Sequence, residues 1–217
     1  MIAIIDYNAG NLTSVARAVA HLGYPCRITR EADEIRGAER IIFPGVGAAG
    51  AAMASLTRMG LDAVLQERFA AGTPIMGICL GTQVIMSHSE ENDTVCLGIV
   101  PGRVNGFPAA LADPSGVRLK IPHMGWNRIR ICRPHPLFAG LGPEDEFYFV
   151  HSYYPVPDDP ACVLASSDYG IPFASVIGCR NLAATQFHLE KSGRPGLRML
   201  QNFCAWTPKR QCLKCLT

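Results

Sequence analysis

The sequence contains no apolar run near the ~20 residues that a membrane-spanning helix needs. Neither sign of charge is in excess, because 20 basic and 18 acidic residues give a formal net charge of +2. This balance gives no electrostatic reason to expect nucleic acid or an anionic membrane as a partner. The opening residues, MIAIIDYNAGN, lack a basic segment followed by a long apolar one, so we interpret them as a first strand rather than a signal peptide. These absences predict a globular, cytoplasmic protein.

The nine cysteines do not form a pattern typical of disulfides or of a metal site. Their number is odd and their spacing irregular, which favours reduced thiols. Cys212 and Cys215 form a lone C-x-x-C near the end of the chain, without a second pair, and His123 and His135 have no partners at zinc spacing. The sequence also contains no Walker-type phosphate loop. We therefore expect neither a metal nor a cofactor.

The most informative stretch is TPIMGICLGTQVIMS, residues 73–87. It predicts a short buried strand that breaks at Cys79 and a helix over residues 80–88. Gly77 and Gly81 flank the cysteine in a G-x-C-x-G pattern, which is typical of a nucleophile elbow, a sharp strand-to-helix turn that carries the nucleophile. A helix N-terminus favours the thiolate form of a cysteine, so Cys79 is a candidate nucleophile. The alternative is a structural cysteine in a tight turn, because free cysteine is often buried.

The pattern of apolar segments predicts one α/β domain over residues 1–206 with a doubly wound, mostly parallel sheet. Apolar strands alternate with helical segments as far as the elbow strand, with strands predicted at residues 2–6, 26–29 and 41–43 and helices at 11–22, 49–56 and 61–70. We expect Asn11 to cap the first helix. The β-rich segments after residue 97 predict an antiparallel or mixed extension of the same sheet, at residues 97–107, 117–121, 127–132, 147–150, 163–167, 174–177 and 183–187. A closing helix is predicted over 197–206, and a poorly ordered tail over 207–217.

A second candidate segment, QFHLEKS, begins at Gln186. A thiol nucleophile needs a base, and the base needs a third group that fixes its tautomer. If the segment is extended, His188 and Glu190 point to the same side, because side chains two residues apart share a face. Cys79, His188 and Glu190 are therefore predicted to form a catalytic triad. The alternatives are a satisfied histidine at a strand end and a solvated loop acid.

GICLGTQ together with FHLEKS resembles the class I glutamine amidotransferases. Other stretches resemble, more narrowly, the glutaminase subunits of imidazole glycerol phosphate synthase, over roughly residues 2–206: DYNAGN, PGVG, SEE, PHMGWN and YFVHSYY. The resemblance implies that Cys79, His188 and Glu190 hydrolyse L-glutamine through a thioester. It also implies an oxyanion site made by backbone N–H groups of Leu80 and of the Val46–Gly47 loop. Gln83 and Glu91 would hold the α-carboxylate and α-amino ends of glutamine, respectively, and the main chain around Ser152 and Tyr153 would line the pocket.

The resemblance further implies a protein partner, a (βα)8-barrel cyclase that receives the ammonia. Its substrate would be a phosphoribulosyl formimino aminoimidazole carboxamide ribonucleotide, and its products imidazole glycerol phosphate and an aminoimidazole carboxamide ribonucleotide, in histidine biosynthesis. The positions that match the family's cyclase interface are Asn8, Asn11, Trp126 and Lys191. From the residues alone, Asn8, Asn11 and Trp126 are equally well explained as a turn residue, a helix cap and a core tryptophan.

Two alternatives stay open at this point. The chain could supply ammonia to a different synthase, or it could be a non-catalytic regulatory subunit that retains the fold. The sequence also departs from the family pattern, because Leu189 stands between His188 and Glu190 where proline is usual. Proline fixes φ, so leucine is expected to leave this segment less rigid.

Overall fold

The computed structural model describes residues 1–208. Residues 209–217, which include Cys212, Cys215 and most of the predicted tail, lie outside the described part of the chain. Within it, an eight-stranded sheet has the order β2-β1-β3-β4-β14-β13-β12-β9. Its strands are β1 (Ile2–Ile5), β2 (Cys26–Thr29), β3 (Arg40–Gly45), β4 (Ile75–Cys79), β9 (Arg130–Ile131), β12 (Val163–Asp168), β13 (Pro172–Cys179) and β14 (Leu182–Thr185).

The parallel part of the sheet is confirmed. The strands β2, β1, β3, β4 and β14 run parallel to one another, whereas β13, β12 and β9 continue the sheet beyond β14 in antiparallel pairs. Helices cover both faces, as expected for a parallel sheet with continuous apolar strands. They are α1 (Leu12–His21), α2 (Ala32–Arg36), α3 (Ala49–Met59), α4 (Leu61–Ala70), α5 (Leu80–Val84) and α6 (Gly193–Ala205).

Two buried clusters divide the core at the sheet. One contains side chains of α1 and α6 against alternate residues of the parallel strands, such as Ile4 and Ile78. The other contains side chains of α2 to α5 against the residues between them, such as Ile5 and Phe43. Alternating side chains of one strand therefore reach opposite faces, as strand geometry requires. None of the helices in the described residues is long and apolar enough to cross a membrane.

The prediction that the β-rich segments after residue 97 extend the main sheet is wrong for some of them. Two further sheets form there instead. One pairs β8 (His123–Arg128) with β10 (Glu146–His151), and the other has the order β11-β7-β5-β6. Its strands are β5 (His88–Ser89), β6 (Thr94–Val95), β7 (Gly102–Gly106) and β11 (Tyr153–Pro157).

The predicted strand at residues 117–121 is also wrong. This region contains one isolated bridge between Ala112 and Arg118. The Asp113 side chain accepts hydrogen bonds from the backbone N–H groups of Ser115 and Val117, at 2.9 Å each. Such local bonding competes with strand pairing and produces a turn instead.

The helix predicted over residues 80–88 is shorter, since α5 ends at Val84 and His88 belongs to β5. Backbone N–H groups of the chain that follows bind the carbonyl groups that a longer helix would use for its own hydrogen bonds. Leu97 N donates to Val84 O at 2.9 Å, and Val100 N donates to Ile85 O at 3.0 Å. The turn after Cys79 is therefore followed by little more than one helical turn.

Candidate active site

Cys79 ends β4 and has φ 54° and ψ −107°, a conformation that a residue other than glycine rarely adopts. The flanking glycines make this turn possible. A Cβ atom on Gly81 would lie 1.9 Å from the backbone oxygen of Phe43, and one on Gly77 would lie 2.9 Å from the Cβ of Ala184. The glycines thus let α5 approach β3, and β14 approach β4. The sharp strand-to-helix turn predicted from G-x-C-x-G is present in the structure.

His188 and Glu190 come together, but not through an extended segment. His188 precedes a 3-10 turn, Leu189–Lys191, and its Nδ1 donates to Glu190 Oε1 at 2.7 Å. The segment is not extended between these residues, because it closes on itself, with Lys191 N donating to His188 O at 3.2 Å. The Ser192 hydroxyl also donates to His188 O, at 2.6 Å, and fixes the turn.

Burial and charge act on His188 in opposite directions. Burial lowers the pKa of the imidazole, but the neighbouring Cys79 sulfur and the Glu190 carboxylate raise it, to about 9 overall. His188 Nε2 is buried and has no hydrogen-bond partner among residues 1–208. Since Nδ1 is bound to Glu190, Nε2 is the ring nitrogen left for exchanging protons with a reacting group.

Cys79 and His188 line one cavity of about 350 Å³. All the residues predicted to form the oxyanion site and to bind glutamine lie on its walls: Val46, Gly47, Leu80, Gln83, Glu91, Ser152 and Tyr153. Leu80 is the first residue of α5, and Gly47 has φ 100° in the loop after β3. The N–H groups at a helix start are free of intrahelical bonds, which suits a developing oxyanion.

The two side chains predicted to hold glutamine already have partners in the protein. Glu91 Oε2 accepts from Ala49 N at 2.6 Å and so ties the start of α3 to the cavity wall. Gln83 Nε2 donates to Tyr153 O at 3.0 Å and to Gln186 Oε1 at 3.3 Å. Because both amide hydrogens of Gln83 are in use, its Oε1 remains as an acceptor. That suits an ammonium group, whereas the sequence assigned Gln83 to the α-carboxylate end.

Sequence reasoning missed further residues beside the nucleophile. Gln186 Nε2 lies 3.9 Å from Cys79 Sγ, and Val150 O lies at the same distance from the sulfur. His151 also lines the cavity. The signal for Gln186 was its position two residues before His188, and His151 stands directly before the predicted Ser152 and Tyr153.

The four predicted interface residues do not share one environment. Asn8, Trp126 and Lys191 are exposed, and the Trp126 residue is 54% accessible. Asn11 is only partly exposed and donates from its Nδ2 to Glu190 Oε1. Asn11 occupies the N-cap position of α1, as predicted, but its side chain makes no cap hydrogen bond in the described chain. Among the same residues, no group of three or more His, Cys, Asp or Glu side chains could hold a metal ion.

The fold is shared with solved structures of low sequence identity. A crystal structure of a glutamine amidotransferase has a TM-score of 0.68 at 18% identity and covers 94% of this chain and 98% of its own. The structure of PurLQS from Thermotoga maritima has a TM-score of 0.68 at 16% identity, covering 94% and 97%. The class I glutamine amidotransferase family matches residues 3–206. Fold and family match together define a class I glutamine amidotransferase.

Sequence similarity to curated relatives assigns the chain to a narrower family within this class. The imidazole glycerol phosphate synthase subunit HisH of Nitratidesulfovibrio vulgaris (strain DP4) is 54% identical over 203 residues, which are 94% of this chain and 95% of the relative. The subunit HisH of Methylococcus capsulatus is 49% identical, covering 95% and 97%, and that of Neisseria gonorrhoeae is 46% identical, covering 94% and 99%. The chain belongs to the family of imidazole glycerol phosphate synthase HisH subunits.

Proposed function

We propose that this chain is the glutaminase subunit of imidazole glycerol phosphate synthase and that Cys79, His188 and Glu190 perform the hydrolysis of L-glutamine. One observation carries the proposal above all others. A cysteine in a strained turn at a helix start shares a cavity with a buried His188–Glu190 pair. This arrangement supplies a nucleophile, a base and the group that orients the base.

In the first half of the reaction, the Cys79 thiolate attacks the side-chain amide carbon of glutamine. The carbonyl oxygen becomes an oxyanion, which the backbone N–H groups of Leu80 and of the Val46–Gly47 loop stabilise. His188 then gives the proton on Nε2 to the leaving nitrogen, so the C–N bond breaks and ammonia departs. A γ-glutamyl thioester remains on Cys79.

In the second half, a water molecule attacks the thioester carbon. His188 Nε2, now without its proton, accepts a proton from the water, and the C–S bond breaks to release glutamate and the thiolate. Glu190 keeps the charge of the imidazolium compensated in both halves. Glu91 supplies the negative charge that the α-ammonium group of glutamine requires, with Gln83 Oε1 as a second acceptor.

The partner in this proposal is a (βα)8-barrel cyclase that uses the ammonia in histidine biosynthesis. Exposed apolar residues on β8, which pairs with Val150 of the cavity wall, and on the cavity wall itself support such a contact. Met124 is 61% and Trp126 is 54% accessible, and Val46 on the cavity wall is 40% accessible. Trp126 packs edge-on against Tyr148, and the Lys191 ammonium lies 5.9 Å from the same ring. Large exposed apolar residues with an aromatic anchor are typical of a protein interface.

We also propose a cytoplasmic location. The seven cysteines of the described residues are free thiols, which fits a reducing compartment.

Glutamate release tests the proposal. Wild type and Cys79→Ala are assayed alone, with the cyclase, and with the cyclase and its nucleotide ligand. Wild type is expected to turn over glutamine, with a steep increase when cyclase and ligand are both present, and Cys79→Ala is expected to be inactive. Glutamine turnover that does not respond to the cyclase would contradict the proposed partner. Absence of turnover in every wild-type sample would contradict the proposed glutaminase activity.

A further inference from the structure

The side chain of Asn11 reaches the orienting carboxylate of the site from the opposite end of the chain. Asn11 lies between β1 and α1, 179 residues before Glu190, and its Nδ2 donates to Glu190 Oε1. The same oxygen accepts from His188 Nδ1 at 2.7 Å. One carboxylate oxygen therefore connects the imidazole of the site to the loop that follows the first strand.

The Glu190 side chain has few other hydrogen-bond partners in the described residues. Its side chain is fully buried, at 0% exposure, and Oε2 has no hydrogen-bond partner among residues 1–208. A buried carboxylate needs hydrogen-bond donors to stay ionised and to keep one orientation. In the described residues its side chain has two such donors, His188 and Asn11. The charge of the His188 ring changes as Nε2 loses and regains its proton, whereas Asn11 is a donor whose charge stays the same throughout the reaction.

The backbone at Asn11 directs the amide towards the site. Asn11 has φ 73° and ψ 5°, a left-handed conformation that asparagine adopts more readily than most residues. Its carbonyl oxygen accepts from Val15 N at 3.4 Å and so begins α1, while its side chain makes no cap. The residue type that suits this backbone also supplies the amide that Glu190 needs.

We propose that Asn11 is a positioning residue of the glutaminase site, whose amide holds Glu190 in the orientation that serves His188. The inference rests on the proposed function, because it assigns Asn11 a role in that reaction. It differs from the interface role implied by the family resemblance, since the amide would act on the site even without a partner. Asn11 does not line the cavity, so it is expected to act on reaction rate and not on glutamine binding.

Two variants distinguish the hydrogen-bond donor of the Asn11 amide from the size of the side chain and from the backbone conformation. Asn11→Gly tolerates the left-handed backbone and removes the side chain. Asn11→Asp retains shape and tolerance of this backbone but replaces the N–H donor with an acceptor beside Glu190. The first readout is alkylation of Cys79 by iodoacetamide in the partner-free full chain between pH 6.5 and 9, followed by peptide mass spectrometry. Circular dichroism checks that each variant is folded.

At pH 7, Cys79 is expected to be alkylated ~3-fold or more slowly in both variants than in wild type. At pH 9 the difference from wild type is expected to be smaller. The reason is that the pKa of His188, about 9, keeps an imidazolium beside the reacting sulfur at pH 7, whereas at pH 9 part of that charge is lost and its orientation matters less. The charged or titratable groups beside His188 are Cys79, Glu190 and His151, and Asn11 itself does not titrate. In the assembled enzyme, kcat is expected to fall while the KM for glutamine stays unchanged.

Arg180→Gly is the matched control, because Arg180 also has a positive φ, 54°, at the far end of β14 from His188. It is expected to leave the alkylation profile unchanged. Wild-type profiles for both Asn11 variants would overturn the proposal, and so would a wild-type profile for Asn11→Asp alone, since that would assign the effect to volume. Alkylation reports on Asn11 even if wild type fails to hydrolyse glutamine, so failure of this inference is distinguishable from failure of the proposed function.

Discussion

His123 donates one hydrogen bond to His151, and the structure fixes its direction. His123 Nδ1 lies 3.0 Å from His151 Nε2. His151 Nδ1 lies 2.9 Å from Tyr153 O, which can only accept, so Nδ1 carries the proton and Nε2 is the acceptor. Burial lowers the pKa of His123 to about 4 and that of His151 to about 3, so both rings are neutral at pH 7. The pair thus holds the Tyr153 carbonyl on the cavity wall.

We expect His123→Leu to leave His151 Nε2 buried without a donor and to destabilise the fold by ~1–3 kcal/mol. Because Tyr153 O also binds Gln83, the KM for glutamine is expected to rise. His123→Asn is the matched control, since an asparagine amide can place a donor near the position of Nδ1. Urea unfolding and glutamine kinetics measure both effects. Equal KM values for His123→Leu and wild type would contradict a role of the pair in shaping the cavity.

The elbow offers a prediction about close packing. In Gly81→Ala the new methyl group would lie 1.9 Å from Phe43 O, so α5 must move away from β3. We expect a loss of ~3 kcal/mol or more, at the upper end of overpacking costs, together with loss of glutamine turnover. Gly37→Ala is the control, because Gly37 has φ −79° and its nearest contact would be 3.4 Å. Similar unfolding free energies for the two variants would count against this account of the elbow.

Local patterns predicted the parts of the fold that local chemistry determines. Apolar strands and their glycine-flanked break identified β4 and Cys79, and continuous apolar runs indicated the parallel sheet. The pairing of β8 with β10 joins segments about 20 residues apart, and periodicity does not encode it. The partner of Asn11 was missed for the same reason. A cap is the common local use of asparagine before a helix, and only the fold brings Glu190 to it.

The charge state of His188 links the site to pH-dependent stability. Its pKa, about 9 in the folded chain, lies above the ordinary value of 6.5. Stability from the charged ring is therefore fully present below pH 6.5 and is lost as the pH rises through 9. We expect wild type to exceed His188→Gln in free energy of unfolding by more at pH 6 than at pH 9.5. In a Cys79→Ala background this change should shrink, because the sulfur no longer favours the imidazolium. A difference independent of pH would contradict the assignment.

Substitution of Leu189 tests the expectation that leucine leaves the segment between His188 and Glu190 less rigid than proline would. It is the first residue of a 3-10 turn, a position that tolerates proline, and His188 before it has φ −89° and ψ 105°, which suits a residue preceding proline. If leucine leaves the segment less rigid, Leu189→Pro should raise kcat by ~2- to 5-fold, matching the entropy that proline removes. Leu189→Ala controls for the packing of this buried side chain. Unchanged turnover in Leu189→Pro would show that the bonds from Ser192 and Lys191 already fix the turn.

The most direct test of the central claim is covalent labelling by an electrophilic glutamine analogue, 6-diazo-5-oxo-L-norleucine. The analogue carries the α-amino and α-carboxylate groups of glutamine and forms a stable bond with an attacking thiolate. Mass spectrometry of the labelled complex with the cyclase and its ligand is expected to find one adduct, on Cys79. Glutamine should protect against it, and Cys79→Ala should abolish it. An adduct on another cysteine, or an unlabelled Cys79 in a folded complex, would contradict the assignment of Cys79 as the glutaminase nucleophile.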